Sequence, residues 1–534
     1  MNRRSQFRFL VRHFFDRFFD KDSIAANTDP RANVYSTIGL LAVPGLVLEF
    51  FIGLPPDFVV FYSMIVTGLI MVFKWDSLFP DRRDYLILGS LPIRYRDLFF
   101  AKVAALCLFL GIFTVSANFV ATLMAPLGRN GTVWANLFGH LSGIYGGALF
   151  MALGFAAFQG ILITILPSHL FRRVSPLIQM VSIAILLATF LTYPFIVANL
   201  VWLARNGSSA MERFPLLWFL GIYLLPNHSD PLIRRLALNA LYGLFVVAAI
   251  SLVTYAIAYR RYTRGVLDAV DSSPSGDDSW RIRLARRRDS VLLRHPVQCA
   301  CFRFIGNILL RSSRHQVFLA VYLAVGLSLG VYSLISPTFE IVPNGVLALP
   351  LMLSFFVVSG LRAVFNIPHE LEGNWIFRLT EACDSKGYVA ATRKWVAVYG
   401  VVPLMLFVVT LEFAYWPWKD ALFHIAFESM VCLILIQILF FNFRKVPFTC
   451  AVFPGKKNLA VLAGIYLYGL TTYRSSMVAL ELWLSVSSTR GLIFVIGGIV
   501  TLIVFSYARR RRPSSRLIYE EQSDTQIQVL GLNG

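Results

Sequence analysis

The sequence predicts an all-α, polytopic membrane protein with about twelve transmembrane helices in two six-helix parallel repeats. The 534 residues are 57% hydrophobic and only 15% charged, with a mean hydropathy of +0.66, whereas a globular chain carries about 25% charged residues. Twelve apolar runs approach or reach the roughly 20 residues that cross a bilayer. Basic residues alternate between the gaps that separate these runs, as they do when short loops retain Lys and Arg on the cytoplasmic side.

The distribution of basic residues predicts the orientation. Gaps on one side of the predicted membrane hold 40 of the 49 Lys and Arg, gaps on the other side hold eight, and Arg362 lies inside an apolar run. An even number of spans places both termini on the basic side, so we expect both in the cytoplasm, with the chain in the cell (inner) membrane. Anionic headgroups beside these loops account for the net charge of +20, and we expect no nucleic-acid partner.

The predicted spans follow one another with short gaps, except for one long interruption in the middle of the chain. Lipid offers the backbone no hydrogen bonds, so continuous runs of this length indicate helices rather than barrel strands. The runs are 36–53, 57–74, 103–126, 138–166, 177–203, 236–258, 316–336, 345–366, 395–416, 420–442, 458–473 and 490–508. The eleventh run is the shortest.

Segments outside the spans predict a division into two halves. Residues 1–35 form a cytoplasmic interfacial segment, in which Phe7, Leu10 and Phe14 recur at helical spacing between charged residues. Residues 259–315 contain a polar stretch, a basic block and a second amphipathic segment. The first membrane half is therefore 36–258 and the second 316–508, followed by a cytoplasmic tail, 509–534. Because six spans restore the starting side, the halves are predicted to be parallel repeats.

The loops that follow the second and eighth predicted spans are similar. Residues 79–102 and 365–394 both begin with Phe and a nearby Pro, continue through acidic residues to an aromatic-led apolar patch, and end in Lys before a span. Lys102 and Lys394 are 292 positions apart (394 − 102). The second loop lacks the Leu-Pro pair of the first. The similarity supports a duplicated chain.

The first loop carries the most specific motif. Acidic residues precede a short apolar helix, which Pro92 ends at Leu91, and basic and polar residues then lead to Lys102. This order resembles the loop between the second and third spans of type-2 ABC transporter permeases, many of which are exporters. The similarity of residues is confined to about 79–102, while the interfacial helix and the six-span half resemble the family in architecture.

The last extracellular loop of that family often carries short re-entrant helices. The apolar centre of residues 205–235, from Phe214 to Leu225, is too short to span a membrane and is predicted to be such a helix. Residues 474–489 are predicted to be its counterpart in the second half.

The resemblance implies a partner. In this family the loop helix couples the permease to a separate cytoplasmic ATP-binding-cassette ATPase subunit, which binds ATP and Mg²⁺. Carried over, the coupling residues are Asp81, Asp84, Tyr85, Leu91, Pro92, Arg94 and Asp97 in the first loop, and Glu370, Glu372, Trp375, Phe377 and Arg378 in the second. The alternative is that both segments are ordinary surface loops anchored by apolar side chains.

The chain itself is not expected to hydrolyse ATP. Its nearest match to a phosphate-binding loop, 454–458, lacks the upstream Gly and the hydroxyl residue. No metal site is predicted, since Cys299 and Cys301 have no second Cys or His pair nearby and Gly373 stands where a zinc-protease motif starting at His369 needs His. We therefore expect a permease with no enzymatic activity, no catalytic residue and no cofactor of its own.

Few ionisable residues fall inside the predicted spans. His424 and Glu428 are four residues apart and share a helix face, and such intramembrane groups are candidates for function. The alternative is a hydrogen-bonded pair that packs the bundle. Glu412 and Glu481 lie near predicted outer ends, where we expect them to reach water.

Two other functions stay open. One is a membrane scaffold or assembly factor that transports nothing. The other is an ion-coupled secondary transporter, for which Glu428 is the candidate carboxylate. Self-association of two chains is a further alternative, and the sequence identifies no substrate.

Overall fold

The computed structural model describes residues 3–20, 55–75, 78, 93–124, 132–198, 212–268, 293, 295–335, 343–369, 376–377, 385–449, 459–511 and 517. The chain divides into two compact units, Met1–Pro274 and Ser275–Gly534. The boundary between them falls inside the segment 259–315, which the sequence analysis assigns to a linker.

The first unit is built from helices. In chain order they are α1 (Arg3–Asp20), α2 (Pro56–Phe73), α3 (Tyr95–Met124), α4 (Val133–Ile165), α5 (Ser168–Leu191), α6 (Pro215–Leu224) and α7 (Pro231–Asp268). Three of these begin with Pro, whose missing N–H suits the first helical turn. At α4 the Thr132 hydroxyl caps the helix by accepting from the Ala135 N–H at 3.3 Å.

The second unit is also helical. Its helices are α8 (Pro296–Arg311), α9 (Ser313–Leu334), α10 (Pro343–Val364), α11 (Ser385–Trp395), α12 (Val402–Tyr415), α13 (Trp418–Leu439), α14 (Leu459–Ser485) and α15 (Ser488–Arg511). A π-helical turn, Val396–Val401, joins α11 to α12 without a break. Pro403 has no N–H to bond the carbonyl four residues earlier, and the adjacent Val402 N–H bonds the Ala397 carbonyl, five residues back.

The protein is a multi-pass membrane protein. Within the described part of the chain, ten helices are long and apolar enough to cross a membrane: α2, α3, α4, α5, α7, α9, α10, the continuous α11–α12 helix, α13 and α15. The predicted first span, 36–53, lies outside the described residues. The predicted eleventh span, 458–473, falls on α14, which is helical from Leu459 but is not one of the ten. Twelve spans therefore stay a prediction.

Two short-segment predictions have different outcomes. The segment Phe214–Leu225 contains the ten-residue apolar helix α6, which is too short to span. Residues 474–489 were predicted to be the counterpart of this short re-entrant segment, and this is wrong, because residues 474–485 continue α14 to Ser485 instead of forming a separate short helix. The polar stretch at its start contains no Pro or Gly, and Met477, Val478 and Leu484 pack against Phe427 of α13.

In the first unit, α2 lies among its neighbours. It packs against α3, α4, α5 and α6, and 67% of its apolar span is buried. Glycines on α4 allow the close approach: a Cβ at Gly147 would lie 2.8 Å from Met64 Cγ on α2, and one at Gly143 would lie 2.8 Å from Tyr223 Cβ on α6. Small residues at such spacing let helix backbones pack closely in membranes.

In the second unit, α10 has the corresponding place. It packs against α9, α13, α14 and the π-helical turn, and 72% of its span is buried. The α9–α10 contact again uses Gly, since a Cβ at Gly326 would lie 2.7 Å from Phe356 Cβ. By contrast, only 6% of the span in α15 is buried, which suits a helix that faces lipid.

Candidate functional site

The end of α2 leads into the first predicted coupling segment. Two side chains from other helices hydrogen-bond the backbone just after α2. Gln159 Nε2 of α4 donates to the Trp75 carbonyl at 2.8 Å, and the Tyr255 hydroxyl of α7 donates to the Leu78 carbonyl at 3.0 Å. Trp75 and Leu78 are both buried. Backbone groups at a helix end need such partners, because the last carbonyls have none within the helix. The entry to the segment is thereby tied to the fourth and sixth predicted spans.

The exit from this segment is the start of α3, and helix α1 packs on it. Leu10 and Phe14 of α1 are buried against Ala101 and Ala105 of α3. Lys102 is 7% exposed, and its Nζ lies 5.7 Å from the centroid of the Phe14 ring, a cation–π contact. The amphipathic helix predicted in residues 1–20 is therefore confirmed as a helix, and its apolar face is covered by the third predicted span.

The corresponding end of α10 leads into the second predicted coupling segment. His315 Nε2 of α9 donates to the Ile367 carbonyl at 3.1 Å, and the Phe448 N–H donates to the Phe365 carbonyl at 3.1 Å. Phe448 is buried and has a φ of 67°, which is uncommon for a bulky residue and requires support from its surroundings. Its ring contacts provide that support, with Phe365 at 5.5 Å and His315 at 4.9 Å.

The exit from the second segment is α11, and helix α8 packs on it. Cys301 and Ile305 of α8 are buried in one cluster with Tyr388 and Ala391 of α11. Lys394 Nζ donates to Gln298 Oε1 at 3.0 Å. Burial raises the pKa of the Cys301 thiol to about 12, because the apolar contact disfavours the thiolate. The amphipathic segment before the seventh span thus docks on the start of the ninth.

Most of the predicted coupling residues lie outside the described part of the chain. They are Asp81, Asp84, Tyr85, Leu91, Pro92, Glu370, Glu372, Trp375 and Arg378. Of the three that are described, Arg94 is exposed just before α3 and Asp97 lies in the first turn of α3. Phe377 is half-buried, and its ring packs between Phe304 of α8, at 5.0 Å, and Tyr388 of α11, at 6.1 Å.

A second candidate site lies inside the apolar part of the second unit. His424 of α13 and Glu481 of α14 are both buried, and His424 Nδ1 forms a 2.8 Å hydrogen bond with Glu481 Oε1. Glu412 of α12 is 2% exposed and interacts electrostatically with both of them. The expectation that Glu412 and Glu481 reach water is therefore wrong, because α12, α13 and α14 pack their polar side chains against one another.

Glu428 extends this cluster toward the middle of α13. It is 3% exposed and accepts a hydrogen bond from Cys432 Sγ at 3.4 Å. The buried Ser354 of α10 and the Tyr473 phenol of α14 lie close enough to interact with it. As predicted, His424 and Glu428 are on one buried face of α13.

Two polar atoms at this site have no hydrogen-bond partner among the described residues: Glu412 Oε2 and Trp416 Nε1. Each is fully buried, and burying a polar group without a partner costs free energy. The Trp416 ring also packs beside that of His424, with ring centroids 5.4 Å apart and planes inclined by 43°. We name the set Glu412, His424, Glu428 and Glu481 the buried acidic cluster. Across the described part of the chain, no group of three His, Cys, Asp or Glu has the geometry to hold a metal ion.

Comparison with protein-family models, with curated proteins and with solved structures finds no match to this chain.

Sequence reasoning found half of the buried acidic cluster. The spacing of His424 and Glu428 within one helix is visible in the sequence, but Glu481 is 57 residues from His424 and reaches it only through helix packing. The available signal was that Glu412 and Glu481 are acidic residues in otherwise apolar runs.

Proposed function

We propose that this chain is the membrane-spanning permease component of an ATP-binding-cassette transporter, an exporter whose substrate is not identified. ATP hydrolysis comes from a separate cytoplasmic subunit, because the sequence has no complete phosphate-binding loop. In this proposal the chain lies in the cell membrane with both termini on the cytoplasmic side, and the two halves are parallel six-helix repeats.

The observation that carries the proposal is the same docking in each unit. An amphipathic helix packs on the first turns of the helix that follows each loop, α1 on α3 and α8 on α11. Lys102 reaches Phe14 in one unit, and Lys394 reaches Gln298 in the other. These two Lys are the pair that the sequence alignment of the loops matches, 292 positions apart (394 − 102).

Helix packing inside each unit supports the duplication. In the first unit α2, the second predicted span, contacts the third, fourth and fifth. In the second unit α10, the second predicted span of its half, contacts the helices that follow in the same order, namely the π-helical turn, α13 and α14. Parallel repeats of six spans account for this correspondence.

The arrangement suggests how a movement of the ATPase would be transmitted to the membrane-spanning helices. Each predicted coupling segment begins after α2 or α10, where a side chain of a neighbouring helix hydrogen-bonds the backbone. Each segment ends at a helix, α3 or α11, on which α1 or α8 packs. A push on the segment would therefore move two spans and an interfacial helix together.

The test is co-purification of the full chain with ATP-binding-cassette ATPases encoded beside it. We expect a stable complex whose ATPase rate falls when Asp84→Ala and Tyr85→Ala are introduced together. The matched control is Asp420→Asn, an exposed carboxylate at the start of α13, on the predicted opposite side of the membrane. Failure of every candidate ATPase to co-elute with the intact chain would count against the proposal.

The buried acidic cluster favours a second candidate, an ion-coupled secondary transporter. Three buried carboxylates rather than one lie within the second unit, and carriers driven by protons use such groups. This candidate predicts transport without any ATPase. A scaffold without transport activity predicts only lost complex formation when residues 79–102 are changed.

A further inference from the structure

We propose that the buried acidic cluster is a proton-exchange site that extends from one end of the α12–α14 helices to the middle of α13. The proposal goes beyond ATP-driven transport, and it names the ligand as the proton. It depends on the second unit alone.

The positions of the groups along the helices define the path. At 1.5 Å per residue, His424 lies about 9 Å and Glu428 about 15 Å from the first residue of α13, which is about 33 Å long. Glu412 and Glu481 lie within about one turn of the ends of α12 and α14, near His424. Ionisable groups therefore continue from the end of the helices to mid-helix.

The charges of the cluster do not balance without protons. Three carboxylates face one imidazole, and each of the four residues is at most 5% exposed. An ion pair of His424 with Glu481 neutralises one carboxylate, and the other two would stay charged. An uncompensated buried charge is strongly unfavourable, so the proposal has Glu412 and Glu428 hold protons in this conformation.

An unpaired polar atom marks where those protons are exchanged. Glu412 Oε2 is buried and has no hydrogen-bond partner among the described residues, and the Tyr473 hydroxyl lies by Ser354 close to Glu428. A water molecule or a movement of α12 that reached Glu412 Oε2 would let it lose a proton. Each transfer breaks one O–H or N–H bond and forms another on the accepting carboxylate or imidazole, with no change of redox state.

A proton is the ligand that fits the space. In the described residues the cluster lacks metal-ion geometry, and apolar residues of the same helices and of α10, namely Phe427, Leu351 and Leu484, pack into one core. A proton needs no cavity, whereas an organic cation does.

Other titratable groups lie on α13 and on the helices that pack against it. Arg509 of α15 bonds Gln437 near the far end of α13. Cys432 of α13 and Tyr473 of α14 are part of the deep end of the site. Arg490 of α15 bonds the Trp483 carbonyl at 3.2 Å and lies over that ring. Lys419, Asp420 and Tyr399 are exposed, and Arg474 follows Tyr473 directly, so it projects about 100° around α14 from it.

The test is infrared difference spectroscopy of the full chain in liposomes, recorded between acidic and alkaline buffer. We expect a band of protonated carboxyl groups that titrates, and we expect Glu428→Gln and Glu412→Gln each to remove the contribution of one carboxyl. The matched control is Glu212→Gln, since Glu212 pairs with Arg235 at 3.4 Å and is partly exposed in the other unit. That control should leave the band unchanged.

Three results would overturn the inference. The first is a spectrum that neither substitution changes, and the second is a band that Glu212→Gln removes equally. The third is a band abolished when Na⁺ replaces choline, which would assign the site to a metal cation. If Glu428→Gln fails to insert, Glu428→Asp keeps the carboxyl and should keep a shifted band. The measurement needs no ATPase, so it succeeds or fails independently of the proposed permease function.

Discussion

Lys394 Nζ donates a hydrogen bond to Gln298 Oε1 at 3.0 Å, and this contact joins the start of the ninth predicted span to helix α8. In the first unit, Lys102 makes the corresponding contact with the ring of Phe14 on α1. The two corresponding lysines thus have different partners, an amide in the second unit and an aromatic ring in the first. Both contacts place a cation beside an amphipathic helix, where it can keep that helix in register with the span.

Lys394→Met should loosen α8 without disrupting the membrane bundle. A single hydrogen bond contributes about 0.5–1.5 kcal/mol net, and Lys394 is only part-buried. A double-mutant cycle with Gln298→Leu, measured by thermal unfolding of the detergent-solubilised chain, should give a coupling energy of about 1 kcal/mol. Additive effects of the two substitutions would show that the bond contributes nothing.

Gly143→Ala should destabilise the first unit. The new Cβ would lie 2.8 Å from Tyr223 Cβ and 3.1 Å from the Phe219 carbonyl oxygen, and backbone atoms cannot move away cheaply. Overpacking of this kind costs about 1–3 kcal/mol. Gly154→Ala on the same helix is the matched control, because no atom lies within 4 Å of its Cβ position. Equal unfolding midpoints for the two variants would refute the close packing of α4.

The helices were largely predictable from the sequence, but their partners were not. Phe14 recurs with the period of an amphipathic helix, which indicates that one face is covered. That the cover is Ala101 and Ala105 of α3, rather than lipid headgroups, depends on packing between segments far apart in the chain. The prediction of a separate re-entrant segment at 474–489 was wrong for a related reason, since tertiary contacts with the cluster around Phe427 outweigh the polar composition at the start of that stretch.

The candidate site shows the same limit. A spacing of four residues identifies His424 and Glu428 as neighbours, because helix geometry is local. The sequence assigned Glu412 and Glu481 to water on the basis of their distance from the ends of apolar runs. Whether the end of a span faces water or another helix depends on how the helices pack together. Here both carboxylates face His424.

His424→Leu should destabilise the second unit more than the double variant with Glu481→Leu. Removing one partner of a buried pair costs about 3–5 kcal/mol, whereas replacing both with apolar residues is often nearly neutral. The matched control is His140→Leu. His140 is also buried and lies at a similar place on its helix, α4, but it bonds the Thr122 hydroxyl, at 3.2 Å, and not a carboxylate. A double variant less stable than His424→Leu alone would contradict this pairing, as read from thermal unfolding.

Tyr255→Phe should free the end of α2 that leads into the first predicted coupling segment. The change removes the 3.0 Å bond to the Leu78 carbonyl and leaves that buried acceptor unpaired, at a cost of about 1–3 kcal/mol. Amides at 71–75 should then exchange hydrogen faster. Tyr242→Phe is the control, because Tyr242 is 72% exposed on the same helix, and its exchange pattern should match the unsubstituted chain.

Cys301 should resist alkylation in the folded chain. Burial raises the pKa of its thiol to about 12, and only the thiolate reacts. Because folding raises this pKa, the native state binds more protons than the unfolded state between the ordinary thiol pKa and about 12. The stability that this thiol contributes is therefore complete at neutral pH and is lost as pH rises through that window.

Maleimide labelling followed by peptide mass spectrometry should modify the half-buried Cys299 first, with Cys301 reacting only after denaturation. Equal labelling of both at neutral pH would show that α8 does not stay docked on α11.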